Sequence, residues 1–274
     1  MATTTNILSG VLIVATAASY IPQYHRLLTL GSSTGLSVAS VLIATLVAQV
    51  QAATMYYLFK ASPLMESGAP VATPHSARDW LNLSQILVQW ISSLLLLALV
   101  IYLPTSTPPR VLSKNVAVGL WILHVLLFII SIPAGGRAQD LVFTVIININ
   151  ATIINPFFSL LAAAALFFQA RVVPPAGQPN VLSKWTLGLQ CFTFLLLAIS
   201  WPFRLILPDN MWKNGPQPAL YLGWYPWVGW ATVNNAILAI GQGITLLLYI
   251  WRAGLDGSIS VTDEHRPLLG SDEL

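Results

Sequence analysis

Hydrophobic residues run along the chain in seven stretches, each long enough to form a helix across a bilayer. A spanning helix needs about 20 mostly apolar residues, and Pro, Gly, Ser or charged residues separate the stretches. The stretches cover approximately residues 7–28, 36–59, 80–103, 113–133, 141–169, 182–206 and 225–251. The fifth is interrupted by several asparagines and by Pro156, which allows a bend there. The pattern predicts an all-α integral membrane protein with seven transmembrane helices.

Composition narrows the chemistry. Of 274 residues, 56% are hydrophobic and only 8% are charged, against roughly a quarter charged in soluble domains. A net charge of +3, scattered over loops, does not indicate a nucleic-acid partner. The lone Cys191 excludes an intrachain disulfide and a paired-cysteine metal site. No cofactor or metal is therefore predicted, and the lack of an acid inside the predicted helices argues against a membrane-embedded enzyme such as a cyclase.

The chain repeats itself at one fixed offset. A shift of 146 residues places Gln169 on Gln23, the pair Leu182-Ser183 on Leu36-Ser37, and Asn235 on Gln89. Internal repeats of this kind are typical of transporter folds. The offset predicts two parallel three-helix bundles joined by a linker helix, a 3+1+3 plan. The first bundle covers residues 1–103, the linker with the fourth helix 104–139, the second bundle 140–252 and a cytosolic tail 253–274.

The stretch Ser19–Ser37 carries a recognisable motif. An apolar run meets Pro22-Gln23, passes through a short basic loop and restarts at Gly35-Leu36-Ser37. This pattern resembles the PQ-loop repeat family, within the SWEET and cystinosin-like superfamily, in which a helix ends in Pro-Gln and Ser-x-Gly-Leu-Ser opens the next. The resemblance is to a fungal-type member with a degenerate second motif, because Phe168 stands where the second proline belongs.

The resemblance implies the 3+1+3 architecture and transport by alternating access. On that basis Pro22 is expected to act as a hinge, and Gln23 and Gln169 to supply hydrogen bonds at the bends. Alternatively, the second half moves less, or bends at Pro156 or Trp201-Pro202, so the degenerate motif leaves transport by the full family mechanism open.

Uncharged polar residues form stripes at helical spacing in five of the seven predicted helices. Polar groups in a bilayer are costly and usually face the interior of a bundle or water. The stripes comprise Ser9, Thr16, Tyr20 and Gln23 in span one; Gln85, Gln89 and Ser92 in span three; Asn148, Thr152, Asn155 and Ser159 in span five; Thr186, Gln190, Thr193 and Ser200 in span six; and Asn235, Gln242 and Thr245 in span seven. They predict either hydrogen bonds that hold the bundle together or a solute pocket.

Three of these residues are candidate substrate ligands. Gln89 and Asn235 occupy equivalent positions of the two repeats, where a pseudo-twofold pocket would form, and Asn155 joins them. The similar SWEET transporters carry an asparagine pair on these two helices that binds substrate. Asp79 is the candidate proton carrier, although a carboxylate just before a helix also favours the helix N-terminus. If Asp79 does not titrate, facilitated diffusion of a neutral or zwitterionic solute is the simpler mechanism.

Orientation and destination follow from the charges and the tail. Seven Lys and Arg residues on one side against five on the other favour a cytosolic C-terminus. The tail carries Glu264 four residues before Leu268-Leu269, which looks like the acidic dileucine signal that clathrin-type adaptor complexes read. This signal predicts a vacuolar or lysosomal membrane. Four aromatic residues, Trp224, Tyr225, Trp227 and Trp230, are interpreted as an interfacial belt at the start of span seven.

The sequence thus supports one leading hypothesis and two alternatives. The first is a transporter that moves a small polar solute, an amino acid or sugar-like molecule, across an organellar membrane. The second is a receptor or scaffold on the same seven-helix fold that does not transport. The third, an enzyme, ranks lowest. The predicted partners are the solute, the lipid bilayer and the adaptors.

Overall fold

A computed structural model describes residues 2–62, 70–105, 112–131, 141–173, 181–205 and 224–263. Within these residues every regular element is helical. The helices are α1 (Ala2–Leu30), α2 (Val38–Ala61), α3 (Ala77–Tyr102), α4 (Lys114–Ser131), α5 (Leu141–Ile149), α6 (Asn155–Val172), α7 (Lys184–Ser200) and α8 (Trp230–Asp263). Three short segments extend them: π-helical turns at Asn150–Ile154 and Tyr225–Gly229, and a 3₁₀ turn at Trp201–Phe203.

Seven of these helical segments are long and apolar enough to cross a membrane, with α5, the π turn and α6 forming the fifth. The helices expose leucine, isoleucine and phenylalanine and bury glutamine, asparagine and threonine. Soluble proteins have the opposite distribution of apolar and polar side chains. The distribution seen here suits a lipid bilayer, in which polar side chains need partners inside the bundle. The prediction of an all-helical, multi-pass membrane protein is confirmed.

Proline at position 22 does not end the first helix. α1 continues through Pro22 to Leu30, so only a short loop, with Gly31 at a φ of 58° and Gly35 at 92°, leads into α2. The expectation of a helix that stops at Pro-Gln was wrong. A proline removes one backbone hydrogen bond, but a helix with tertiary support on both sides of it can accommodate the loss.

The fifth span corrects a second expectation. A π turn at Asn150–Ile154 inserts one residue into the helix, so that Asn150 and Asn155 share the buried face at i, i+5. Asn148 and Thr152 instead lie exposed and bond back to their own helix, at Thr144 O (2.9 Å) and Asn148 O (2.6 Å). The predicted stripe through Asn148 and Thr152 was wrong because it assumed a constant period of 3.6 residues.

Helix contacts repeat between the two halves of the chain. α1 packs against α3, α2 against α3, and α1 against α7; correspondingly, α6 packs against α8, α7 against α8, and α6 against α2. Exchanging α1 with α6, α2 with α7 and α3 with α8 converts the first three pairs into the other three. α4 stands apart and packs mainly against α2. α8 runs on to Asp263, beyond the predicted end of the second bundle at residue 252.

Candidate functional site

Two glutamines join the halves of the molecule at one end. Gln23 on α1 donates from Nε2 to the Val181 carbonyl (2.8 Å) and accepts at Oε1 from the Ser183 N–H (2.9 Å). Gln169 on α6 does the same in the opposite sense: its Nε2 donates to the Gly35 carbonyl (2.9 Å) and its Oε1 accepts from the Ser37 N–H (3.0 Å). We call these the Gln23 clamp and the Gln169 clamp.

The two clamps match residue for residue under the 146-residue shift. Gln23, Gly35 and Ser37 correspond to Gln169, Val181 and Ser183. Each clamped serine is also the N-cap of the next helix: Ser37 accepts from the Ser40 N–H and Ser183 from the Thr186 N–H, both at 3.3 Å. Each glutamine therefore fixes the start of α2 or α7 in the other half. The bonds do not go to a bend in the glutamine's own helix, as the sequence interpretation assumed.

A small polar cavity lies between the clamps. Its volume is about 70 Å³, and residues of six helices line it, including four glutamines: Gln23, Gln169, Gln190 and Gln242. That volume holds a few waters and is far below the roughly 300–1,000 Å³ of small-molecule pockets. The clamps join the two halves at this end, which we call the clamp end, and the cavity there is too small for a solute. The opposite end, where α3 begins and α7 ends, is the far end.

The predicted substrate ligands are buried but do not line this cavity. Gln89 is 2% exposed, and it lies one helical turn from Ser93, which does line the cavity. Asn235 is 1% exposed; its Nδ2 donates to the Ala231 carbonyl (2.7 Å), and its Oδ1 has no partner. Both side chains therefore face the protein interior and not lipid. Their role as substrate ligands stays a prediction.

Asn155 belongs to a hydrogen-bond network among α2, the fifth span and α8. Asn150 Nδ2 and Asn155 Nδ2 both donate to Thr54 Oγ1, at 2.8 and 2.9 Å. One turn further, Ser159 Oγ lies 2.5 Å from Asn234 Oδ1 and 2.7 Å from the Tyr225 hydroxyl. The network gives Asn155 a structural role alongside the predicted contact with substrate, and the Asn155 Oδ1 remains unpaired.

Asp79 is buried at 3% exposure and forms a capping box at the start of α3. Its Oδ2 accepts from the Ser76 N–H (2.8 Å) and the Ser76 hydroxyl (2.6 Å), while Ser76 Oγ accepts from the Asp79 N–H. These contacts are those of a carboxylate that stabilises a helix N-terminus, which is the alternative role given for Asp79 in the sequence analysis. Proton coupling through Asp79 stays a prediction.

The far end holds a buried arginine that no sequence pattern had marked as functional. Arg204 is 2% exposed, and its Cζ lies 5.3 Å from the centre of the Trp201 ring. Arg78 donates to the Arg204 carbonyl (2.6 Å) and the Phe203 carbonyl (2.9 Å), and Asn82 donates to the Arg204 carbonyl (3.2 Å). Burial, with Arg78 adding to it, lowers the pKa of Arg204 to about 10, so the side chain stays charged at neutral pH.

Trp230 shows that the interpretation of four residues as an interfacial belt was wrong in part. Its side chain is fully buried, and its ring centre lies 6.0 Å from that of Trp201. The helical position that faces Trp201 places Trp230 inside the bundle and not at the lipid interface.

Many buried polar atoms among the described residues have no hydrogen-bond partner. The donors include Gln49 Nε2, Gln51 Nε2, Gln190 Nε2, Trp230 Nε1, Asn234 Nδ2 and both terminal nitrogens of Arg204; the acceptors include Gln49 Oε1, Asn82 Oδ1, Gln85 Oε1, Asn155 Oδ1 and Asn235 Oδ1. Such groups are costly unless water or a ligand satisfies them. The candidate residues predicted from the sequence did not include Gln49, Gln51 and Asn234. An amide side chain inside a predicted spanning helix would have identified them, because such groups usually face the interior of the bundle.

The remaining predicted residues Glu264, Leu268 and Leu269 lie outside the described residues. No cluster of three or more metal-binding side chains occurs in the part of the chain that the structure describes.

Seven apolar helices with buried amides, two inter-half clamps and a closed polar cavity define a multi-pass membrane protein with an internal polar chamber. Residues 4–59 match the family model of the PQ loop repeat. This match covers α1, the Pro22-Gln23 motif and most of α2, and it confirms the resemblance seen in the sequence. No curated protein and no solved structure matches the chain.

Proposed function

We propose that this protein is a transporter that moves a small polar solute across a membrane by alternating access. The observation that carries the proposal is the pair of reciprocal clamps. Each clamp joins one half to the other at the same end, where the Val181 N–H also donates to the Thr34 carbonyl (3.1 Å), so the halves would separate there by losing bonds between them and none within a half. The closed cavity of about 70 Å³ between them fits a state in which that end is shut.

The same observations support the 3+1+3 plan, with residues 1–103 and 140–252 as the two moving units and the segment 104–139 as the linker. The repeated helix contacts and the repeated clamps both follow from one twofold relation between the units. Pro22 lies one residue before the first clamp. A change in the direction of α1 at Pro22 would therefore move Gln23 away from the Ser183 N–H.

The buried amides would supply the route for the solute. Gln89 and Asn235 face the interior of the protein, and Asn155 leaves an acceptor unpaired. We assign these three residues to substrate contact, and Asp79 to proton coupling if uptake depends on a pH gradient. Transport needs no cofactor and no chemistry on the solute, so we do not propose an enzyme.

The proposal extends to the organelle and the adaptors. They rest on Glu264, Leu268 and Leu269, and on the positive charges that favour a cytosolic C-terminus. A tagged chain with Leu268→Ala and Leu269→Ala should shift from the vacuolar or lysosomal membrane to another membrane, as microscopy would show. An unchanged location would refute the sorting role without touching the transport proposal.

Solute uptake into proteoliposomes, with and without a pH gradient, tests transport directly. A panel of amino acids and sugars should include a solute whose accumulation requires the protein. The Asn235→Leu and Gln89→Leu variants should reduce this uptake, whereas Ile240→Leu, an exposed position on the same helix as Asn235, should not. Saturable binding without flux of any solute would favour the receptor or scaffold alternative instead.

A further inference from the structure

The far end contains a buried positive charge that has no counter-charge among the described residues. Arg204 is 2% exposed, and neither of its terminal nitrogens, Nη1 and Nη2, has a hydrogen-bond partner in that part of the chain. The Trp201 ring covers the guanidinium at 5.3 Å. A cation taken out of water without an ion pair or hydrogen bonds is strongly unfavourable, so the arrangement calls for a partner that binds there.

The described neighbours do not supply that partner. Arg78 carries the same charge and bonds only to the carbonyls of Phe203 and Arg204. The Asp79 carboxylate accepts from Ser76 in the capping box of α3. Asn82 turns its Nδ2 to the Arg204 carbonyl, and its Oδ1, which a guanidinium could reach as an acceptor, is unpaired.

Buried polar atoms without hydrogen-bond partners, both donors and acceptors, lie near Arg204. On the donor side, Trp230 Nε1 is unpaired, and its ring lies 6.0 Å from that of Trp201. On the acceptor side, Asn82 Oδ1 and Gln85 Oε1 lie one turn apart on the buried face of α3, and both are unpaired. Donors from α8 and from the segment that follows α7 thus lie at the same end of the bundle as acceptors from α3.

We propose that the far end is a recognition site for an oxyanion group, a carboxylate or a phosphate, on a small solute, and that Arg204 binds this group. A guanidinium donates two parallel hydrogen bonds to such a group, and Arg204 at 2% exposure is out of reach of bulk lipid headgroups. The acceptors on α3 suit an N–H group on the same solute, so a zwitterion such as an amino acid satisfies both sides. The inference rests on the proposed transport function. It adds a buried positive charge, that of Arg204, to the uncharged polar residues that were predicted to face the interior.

Thermal unfolding of the purified full chain in phosphatidylcholine nanodiscs tests the site without requiring transport. The probes are pairs that differ only in the charged group: alanine against alaninamide, succinate against succinamide, and glucose 6-phosphate against glucose. The charged member of at least one pair should raise the Tm of the wild-type chain, and its neutral partner should not. A shift with carboxylates alone or with the phosphate alone identifies which oxyanion the site takes.

The variants are Arg204→Met and the matched control Arg171→Met. Arg171 also stacks on an aromatic ring, with its Cζ 3.9 Å from the Phe167 ring centre, but it is exposed. Arg204→Met should weaken binding of the oxyanion probe about 10–100-fold, as expected for charge-assisted hydrogen bonds, and Arg171→Met should not change it. Without probe, Arg204→Met should melt at the same temperature as wild type or higher, because it removes an unpaired buried charge.

The opposite results would overturn the site. If Arg204→Met lowers the Tm without probe and leaves the probe-induced shift intact, Arg204 has a structural role only. If no charged probe shifts the Tm while proteoliposomes still accumulate a neutral solute, the oxyanion site is wrong and transport stands. A probe shift that depends on Arg204, together with no flux of any solute, would instead contradict transport and keep the site.

Discussion

The two halves of the molecule share their backbone connections but differ in the chemistry that they bury. Both halves keep the clamp glutamine, the N-cap serine and the same helix contacts. Behind the clamps the residues diverge: Asn82 and Gln85 on α3 correspond to Val228 in the π turn before α8 and to Ala231 on α8, and all four are buried. Geometry that must match across the twofold relation is retained, whereas side chains that contact the interior are free to differ.

The unpaired polar atoms lie in both halves but at positions that do not match. Helix α2 buries Gln49 and Gln51 at positions where α7 has leucines, whereas the buried Arg204 of the second half corresponds to Leu58. A solute inside the bundle would therefore contact different groups in the two halves.

Loss of both clamps should have the largest effect. Each clamp makes two buried hydrogen bonds, and removing it leaves a buried carbonyl and an N–H unpaired, so Gln23→Leu and Gln169→Leu should each cost about 2 kcal/mol and the double variant about 4 kcal/mol. Thermal melting in nanodiscs measures this. Gln242→Leu is the control, since Gln242 lines the same cavity and makes no hydrogen bond with the described residues.

The clamp-free variant should also open the clamp end. A Ser40→Cys reporter in a Cys191→Ser background places the only thiol in the wall of the cavity. Its labelling by a water-soluble thiol reagent should be faster in the double clamp variant than with intact clamps. Equal labelling rates would mean that the clamps do not close this end.

The next largest effect is expected from placing a proline at position 168 of the second half, which corresponds to Pro22 of the first. Phe168 packs against the cluster formed by Ile43, Val47, Ala162 and Ala165. Phe168→Pro removes both this packing and a backbone hydrogen bond in the interior of α6, which should cost about 3 kcal/mol or more. Phe168→Leu keeps the helix and most of the apolar contact, and it should cost under about 1.5 kcal/mol. Similar melting temperatures for the two variants would show that α6 tolerates proline as α1 does.

Exchange of buried residues between the halves should give destabilising effects of intermediate and unequal size. Val228→Asn places an amide in an apolar cluster at 0% exposure and should cost about 2–3 kcal/mol. The reverse change, Asn82→Val, removes one hydrogen bond but also an unpaired carbonyl oxygen, and it should cost under about 1 kcal/mol. Equal costs in thermal melting would argue that Asn82 is a structural residue and not part of a polar chamber.

The smallest effects are expected in the two loops that carry the clamped carbonyls of Gly35 and Val181. Gly35 adopts a φ of 92°, so Gly35→Ala is strained and should cost about 1–2 kcal/mol, while Val181 needs no positive φ at the equivalent place. The same substitution at Gly10, inside α1 with open space around its Cα, should stabilise by about 0.5–1 kcal/mol. Opposite changes in Tm are expected, and a drop at both glycines would contradict the backbone explanation.

Spans and motifs were readable from the sequence because they depend on local composition. Seven apolar stretches, the Pro22-Gln23 motif and the offset that relates Gln23 to Gln169 all emerge without coordinates, and Gln89 and Asn235 are buried as their spacing indicates. The helical spacing failed where the period changed, because the π turn moved Asn150 into the position expected for Asn148.

Other errors came from contacts between segments distant in sequence. Arg204 lies near the end of the predicted span 182–206, between Phe203 and Leu205, and no local pattern marks it as special. Its contact with α3, from which Arg78 and Asn82 donate to the Arg204 carbonyl, was not visible in the sequence. The clamps are likewise invisible in one half alone, since Gln23 finds its partners 158 and 160 residues away.

The loose attachment of α4 makes the surrounding membrane part of the protein's own packing. Two apolar hollows of about 380 and 440 Å³ beside α4 share His124, Leu127 and Phe158. Hydrocarbon interiors do not sustain voids of that size, so acyl tails would occupy them. The length and unsaturation of the acyl tails should then affect how stably α4 packs against the rest of the protein. A purification that removes these lipids would change this packing before any assay begins.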